Sequence, residues 1–182
     1  ELGVADNTLV IFTSDNGGFI NKCKLNRDLA VANNAPLRSG KGSCYEGGVR
    51  VPLIVRGPQV AQGKISSEPV YAPDLYPTLL RAAGLSDQAQ AGIDGVDFTL
   101  LLQNPDAKLK RESLYFHYPH YYQTTTPVSA IRKGDWKLLE YFEDNRLELF
   151  NLKHDPGETR DISTANSALA KRLRMELDVW RK

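Results

Sequence analysis

The chain has almost no net charge and no long apolar run, and each absence excludes a class of partner. Its 182 residues carry 23 lysines and arginines against 22 aspartates and glutamates, a formal net charge of +1. Because positive and negative charges are nearly equal in number, there is no bulk attraction to nucleic acid or to an anionic membrane surface. No apolar run approaches the roughly 20 residues of a membrane span. We therefore expect a globular domain, with neither nucleic acid nor a membrane span among its features.

Cysteine is also scarce. Cys23 and Cys44 are too few for a disulfide framework, and two free thiols are a better interpretation than one bridge, although both lie in the same loop region. Neither forms a C-x-x-C pair, and no cluster of cysteine and histidine suggests zinc. The chain begins with Glu1 and shows no signal peptide, which carries no information if it is part of a longer polypeptide.

Two short apolar runs, residues 8–13 and 51–55, predict strands in the first third of the chain. The first is nearly continuous and rich in β-branched residues, which is typical of an interior strand of a parallel sheet. Because two strands alone do not make a stable parallel sheet, the pattern indicates a piece of a larger α/β sheet. Between the runs, the glycine-rich residues 15–50 predict a long functional loop.

The remainder predicts two short helices, an antiparallel meander and a terminal helix. The helices are expected at 73–83, with Gly84 as the C-cap, and at 97–103. The strands of the meander are expected at 114–118, 128–133, 136–142 and 147–152.

The terminal helix is expected from about residue 164. Leu169, Leu173, Leu177 and Trp180 recur at helical spacing and give an apolar stripe that would pack on the meander. The predicted fold class is therefore mixed. Residues 1–105 would form the last strands of an α/β domain, and residues 106–182 an α+β subdomain with a four-stranded antiparallel sheet and a packed helix.

Asp15 and Asn16 are candidate metal ligands, because they directly follow a predicted strand. In open α/β sheets, ligands bind at the carboxyl ends of strands, and carboxylate and amide oxygens suit calcium or magnesium. The string Asp-Asn-Gly-Gly is also a common turn, and taken alone the turn is the preferred interpretation.

Lys41 is a candidate anion ligand. It stands between Gly40 and Gly42, where the backbone can approach a ligand closely and the ammonium acts as a compact point charge for sulfate or phosphate. The spacing of a Walker-type loop is missing. A solvated lysine in a flexible turn is the alternative. Nearby, Glu46 and Arg50 are expected to form an ion pair that fixes the loop rather than to act in catalysis.

His117 and His120 are candidate substrate contacts. They lie in an aromatic run, residues 115–122, whose rings and imidazoles would suit a sugar or an aryl group. The alternative is that these side chains pack the meander. His154, before a turn, is expected to be a surface residue.

Several of these segments, taken in order, resemble the C-terminal part of the type I, formylglycine-dependent sulfatases of the alkaline-phosphatase-like superfamily. Each motif is weak alone, and the ordered set is specific. The matching segments are Thr-Ser-Asp-Asn-Gly-Gly at 13–18, Pro-Leu-Arg-Ser-Gly-Lys-Gly at 36–42, Tyr-Glu-Gly-Gly-Val-Arg-Val-Pro at 45–52, Tyr-Ala-Pro-Asp-Leu-Tyr-Pro-Thr at 71–78, Ile-Arg-Lys-Gly-Asp-Trp-Lys-Leu at 131–138, Asn-Leu at 151–152 and Asp-Pro-Gly-Glu at 155–158.

The resemblance implies a sulfuric ester hydrolase, such as an arylsulfatase, that acts on a sulfated glycan or small molecule. It assigns Asp15 and Asn16 to a divalent metal, usually calcium, and Lys41 to the sulfate group; Asp74 looks structural. It also implies an exported protein: periplasmic, lysosomal or extracellular.

The family's nucleophile is a formylglycine made in a C/S-x-P-x-R motif, and neither Cys23 nor Cys44 fits that motif. We therefore expect the formylglycine upstream of Glu1 and the chain alone to be inactive. Two alternatives stay open: a phosphonate or phosphodiester hydrolase of the same superfamily, and a non-catalytic folding or oligomerisation module that pairs through the edges of its incomplete sheet.

Overall fold

The computed structural model describes residues 2–21, 31–86 and 92–182. Cys23 lies outside the described residues. The chain forms two compact units, one made of Glu1–Thr13 with Pro52–Arg111 and the other of Ser14–Val51 with Glu112–Lys182. The glycine-rich loop therefore belongs by its contacts to the same unit as the C-terminal sheet. The sequence domains 1–105 and 106–182 stay a prediction.

In the first unit, strand β1 (Val10–Thr13) pairs with β2 (Leu53–Arg56). The pairing is antiparallel, so the expectation of neighbouring parallel strands is wrong. An apolar run reports burial but not the direction of the partner strand, and the intervening loop returns the chain in the opposite sense. Phe12 and Ile54 are each 61% exposed, so the described residues do not bury this sheet on both faces.

The helices of the first unit confirm the sequence prediction. A 3₁₀ turn (Ala72–Asp74) leads into helix α2 (Leu75–Ala82), after which Gly84 adopts a positive φ of 73°. Helix α3 (Thr99–Gln103) follows. A second 3₁₀ turn (Ala5–Asn7) precedes β1.

The second unit is built on the predicted meander. Its four strands are antiparallel and lie in chain order, followed by a terminal helix. The elements are a short helix α1 (Glu46–Val49), strands β3 (Ser113–Tyr118), β4 (Val128–Lys133), β5 (Trp136–Tyr141) and β6 (Leu147–Asn151), and helix α4 (Ser167–Trp180).

Successive side chains along each strand point to opposite faces of the meander, and apolar side chains are buried on both faces. On one face, Ile131, Leu138 and Leu149 pack against Leu173 and Leu177 of α4, which confirms the predicted apolar stripe. Trp180, at the end of that stripe, is partly exposed and stacks on the ring of Tyr115 with centroids 4.9 Å apart.

The other face of the meander is covered by the end of the glycine-rich loop. Leu139 and Phe150 form a cluster with Cys44 and Tyr45 of that loop. This face therefore positions the loop that carries Lys41. In the part of the chain that the structure describes, no helix combines the length and the apolar character needed to cross a membrane.

Candidate functional site

Backbone hydrogen bonds bring the two predicted ligand segments together. The N–H of Gly17 donates to the carbonyl of Gly48 at 2.9 Å, and the N–H of Lys41 donates to the carbonyl of Gly18 at 3.1 Å. The segment that begins with Asp15 therefore lies directly beside the turn that carries Lys41. Residues far apart in the sequence meet in one place, as a binding site requires.

The glycines permit this close packing of backbone on backbone. A Cβ on Gly17 would lie 1.7 Å from the carbonyl oxygen of Gly47, and one on Gly40 would lie 2.4 Å from that of Gly18. Any side chain at these positions would force the segments apart. Gly40 thus approaches the backbone of the protein itself, whereas the sequence predicted that its backbone would approach a ligand.

Asp15 and Asn16 offer oxygen atoms suited to a hard cation. Asp15 is exposed and Asn16 is half-buried. The side-chain nitrogen of Asn16 donates to the carbonyl of Gly17 at 3.1 Å, an arrangement that orients the amide and makes its oxygen the candidate ligand atom. The donors fit calcium or magnesium in kind but not in number, because calcium takes 6–8 oxygens. Within residues 2–21, 31–86 and 92–182, no group of three or more His, Cys, Asp or Glu forms a metal site.

Lys41 combines a fixed backbone with an exposed side chain. Its N–H is held by Gly18, and its carbonyl accepts a hydrogen bond from Oγ1 of Thr124 at 2.8 Å. The ring of Tyr122 covers the next residue, Gly42, whose φ is +84°. Among the described residues, no acidic side chain forms an ion pair with the Lys41 ammonium. The charge is therefore available to an anion.

Glu46 holds the following turn in place, as predicted. Its carboxylate is 4.0 Å from Nη1 of Arg50, but its closest cation is Nζ of Lys137 at 2.8 Å. Lys137 also lies 3.0 Å from Oε1 of Glu158. We did not predict this buried cluster from the sequence. A lysine inside the buried strand β5 was a signal that an acidic partner is needed, although it does not say which residue provides it.

The structure does not bring His117 to the face of the sheet that carries the glycine-rich loop. Its Nδ1 lies 2.7 Å from Oγ of Ser129, and its ring makes an edge contact with Trp180 of α4 at 6.5 Å. His120 is exposed, with an edge contact to Tyr118, a residue that packs on the loop side. Their role in substrate contact stays a prediction.

Cys44 is a free, buried thiol. Burial raises the pKa of this thiol from 9.0 to about 11. Since the thiolate is the nucleophilic form, Cys44 is poorly suited to attack a substrate at neutral pH. Its surroundings match those of a core residue.

Comparison with known proteins identifies the family. The model of the family described as N-sulphoglucosamine sulphohydrolase, C-terminal, matches residues 40–182. A sulfatase of Formosa agariphila is 36% identical over 98% of this chain and 34% of its own length. The steryl-sulfatase of Mus musculus is 39% identical over 90% of this chain and 30% of its own length.

Solved structures agree. Ps i-CgsB is 37% identical, with a TM-score of 0.76 over 97% of this chain and 37% of that one. A protein solved with its substrate, D-glucosamine-2-N,6-O-disulfate, is 28% identical, with a TM-score of 0.76 over 99% of this chain and 35% of that one. The chain spans about a third of the length of these relatives. It therefore belongs to the alkaline-phosphatase-like sulfatases, within their C-terminal part, as its ordered motifs predicted.

Proposed function

We propose that this chain supplies one side of the active site of a longer sulfatase, which hydrolyses sulfate esters. The observation that carries the proposal is the backbone hydrogen bond from the N–H of Lys41 to the carbonyl of Gly18, which places the residue that carries the ammonium beside the segment of Asp15 and Asn16. A cation and hard oxygen ligands side by side suit a substrate that is a tetrahedral oxyanion.

In this proposal, Lys41 offsets negative charge on the sulfate group as the ester bond breaks. Its backbone is held in place beforehand, so little reorganisation is needed during the reaction. Asp15 and Asn16 would hold calcium, with magnesium as the alternative. A bound divalent cation would supply Lewis-acid polarisation of a sulfate oxygen.

The nucleophile and the other metal ligands would come from outside this chain. Neither cysteine lies in the motif from which formylglycine is made, and Cys44 is buried as a neutral thiol. Two oxygen-bearing side chains are also too few for calcium. We therefore propose that the chain alone is inactive.

The substrate class rests on the relatives. One acts on steryl sulfates by its name, and another was solved with a sulfated glucosamine. We propose a sulfated glycan or aryl sulfate as substrate, with His120 as the better placed of the two histidines because Tyr118, which it touches, packs on the loop side. Export from the cytoplasm is proposed on the same family basis.

The test is an assay of the full-length protein against an aryl sulfate and the matching aryl phosphate, with calcium present. We expect sulfate hydrolysis to exceed phosphate hydrolysis, and the isolated chain assayed in parallel to give no turnover. Phosphate hydrolysis without sulfate hydrolysis would instead assign the protein to a sister phosphoesterase class. Turnover by the isolated chain would contradict the assignment of the nucleophile to another segment.

A further inference from the structure

Three charged side chains are buried together beneath the glycine-rich loop. Lys137 on β5 is 0% exposed, and its Nζ lies 2.8 Å from Oε1 of Glu46 and 3.0 Å from Oε1 of Glu158. These carboxylates are 2% and 0% exposed. We call Lys137, Glu46 and Glu158 the buried triad.

The buried triad is a costly way to hold a fold together. Removing three charges from water carries a large desolvation penalty, and well-packed apolar residues of similar size often stabilise a protein equally well. Strand β5 already contributes Leu139 to the apolar cluster on this face. Stability alone therefore does not explain why Lys137 occupies the strand. The alternative explanation is that the triad fixes the position of the loop that packs on it.

That geometry reaches both ends of the segment that carries Lys41. At one end, Oε2 of Glu158 accepts a hydrogen bond from the backbone N–H of Glu46 at 2.6 Å. At the other end, Nη1 of Arg38 donates to the backbone carbonyl of Glu158 at 3.0 Å. The N–H of Gly47 then donates to the carbonyl of Arg38 at 2.9 Å, which closes residues 38–47 into a loop.

Glu158 itself adopts an unusual backbone conformation. Its φ is +51°, in the left-handed region that non-glycine residues seldom occupy. Such conformations persist where the surroundings fix them, and they cluster at functional sites. The preceding turn is held by Asp155, which accepts hydrogen bonds from the N–H groups of Thr159 and Arg160. Glu158 is thus presented rigidly to the loop.

We infer that Lys137 and Glu158 are positioning residues that set the place of Lys41: Glu158 contacts both ends of loop 38–47, and Lys137 holds the carboxylates of Glu158 and Glu46 together. The inference rests on the proposed role of Lys41. The buried triad touches no substrate; it acts through the backbone that carries the ammonium. A misplacement of about 1 Å can lower a rate by about 10²-fold, so loss of the clamp should lower kcat.

The chain offers a matched control on the same strand. Glu140 is also buried, but it points to the opposite face of the meander, where it lies 2.7 Å from Arg174 of α4 and 2.7 Å from Arg181, the residue that follows this helix. Glu140→Gln disrupts a buried ion pair without touching loop 38–47. Lys137→Met and Glu158→Gln disrupt the triad instead, and Lys137→Arg keeps its charge.

In the full-length enzyme, we expect Lys137→Met and Glu158→Gln to lower kcat for an aryl sulfate by at least about tenfold with KM nearly unchanged. Lys137→Arg should recover part of the loss. Glu140→Gln should lower the melting temperature with kcat retained. Hydrogen exchange gives a readout independent of activity: the amides of Gly17 and Lys41 should exchange faster in Glu158→Gln than in Glu140→Gln.

The inference is overturned if Glu140→Gln lowers kcat as much as Glu158→Gln does, or if exchange at Gly17 and Lys41 is the same in both variants. A wild-type enzyme without sulfatase activity would instead refute the proposed function, and hydrogen exchange would still decide whether the triad positions the loop. If Lys137→Met fails to fold, the milder Glu158→Gln, which keeps the size of the side chain, decides both readouts.

Discussion

Replacing Lys41 with alanine in the full-length enzyme should lower kcat for sulfate-ester hydrolysis by about 10²-fold or more, the scale for one lost charge-stabilising donor. The ammonium is exposed and its backbone is fixed by hydrogen bonds to Gly18 and Thr124. Its interaction with the sulfate should strengthen as negative charge develops, so kcat should change more than KM. Steady-state kinetics on an aryl sulfate provide the measurement.

Two variants control for general effects of the substitution. Lys171, which is exposed on helix α4, offers a lysine far along the sequence from the glycine-rich loop, and Lys171→Ala should leave kcat unchanged. Lys41→Arg keeps the positive charge but spreads it over a planar group, so it should retain only part of the activity. Full activity in Lys41→Ala would leave Lys41 as an ordinary loop residue and remove the main support for the proposed site.

The second large effect is on stability and concerns Asp74 in the first unit. Its buried carboxylate binds Nη1 and Nη2 of Arg111 at 2.6 Å and 2.8 Å and accepts hydrogen bonds from the N–H groups of Tyr71 and Val96. Arg111→Met leaves this charge uncompensated. Losing one partner of such a pair costs about 3–5 kcal/mol, which urea denaturation would measure as a lower midpoint.

Lys108 supplies the matched control for Arg111. It pairs with Glu68 at 2.9 Å, but its side chain is 77% exposed. Lys108→Met should therefore cost no more than about 1 kcal/mol. Equal losses in the two variants would contradict a structural role for the Asp74–Arg111 pair. A large loss of sulfatase activity in folded Arg111→Met would show that the pair also serves catalysis.

The meander could be predicted from the sequence because its signals are local. Alternation fixes each strand, and Gly134, with a φ of +57°, supplies the tight turn between β4 and β5. Helix α4 could also be predicted from the sequence, since Leu173 and Leu177 recur at helical spacing. The direction in which β1 pairs with β2 could not be predicted, because an apolar run does not show whether its partner strand is parallel or antiparallel.

The parts of the site that escaped prediction depend on long-range contacts. The hydrogen bond from Lys137 to Glu46 spans 91 residues, and that from Glu46 to Glu158 spans 112. Composition and periodicity cannot reveal such partners. The need for glycine at positions 17 and 40 could not be predicted either, because it arises from close contact with the backbone of another segment.

The face of the sheet on which His117 lies could have been predicted from the alternation of side chains along β3. It shares its parity with Tyr115 on β3, and both rings contact Trp180 of α4. Tyr118 and Phe116 have the opposite parity and pack on the side of the glycine-rich loop. A strand with period two sends neighbouring residues to opposite faces, so the two histidines did not have to share a site.

A crystal structure of the full-length protein with calcium and bound sulfate would test the proposed site most directly. We expect oxygens of Asp15 and Asn16 about 2.3–2.6 Å from the metal, and Nζ of Lys41 at about 2.7–2.9 Å from a sulfate oxygen. A cation held without Asp15 and Asn16, together with a sulfate that Lys41 does not contact, would contradict the assignment of this chain to one side of the active site.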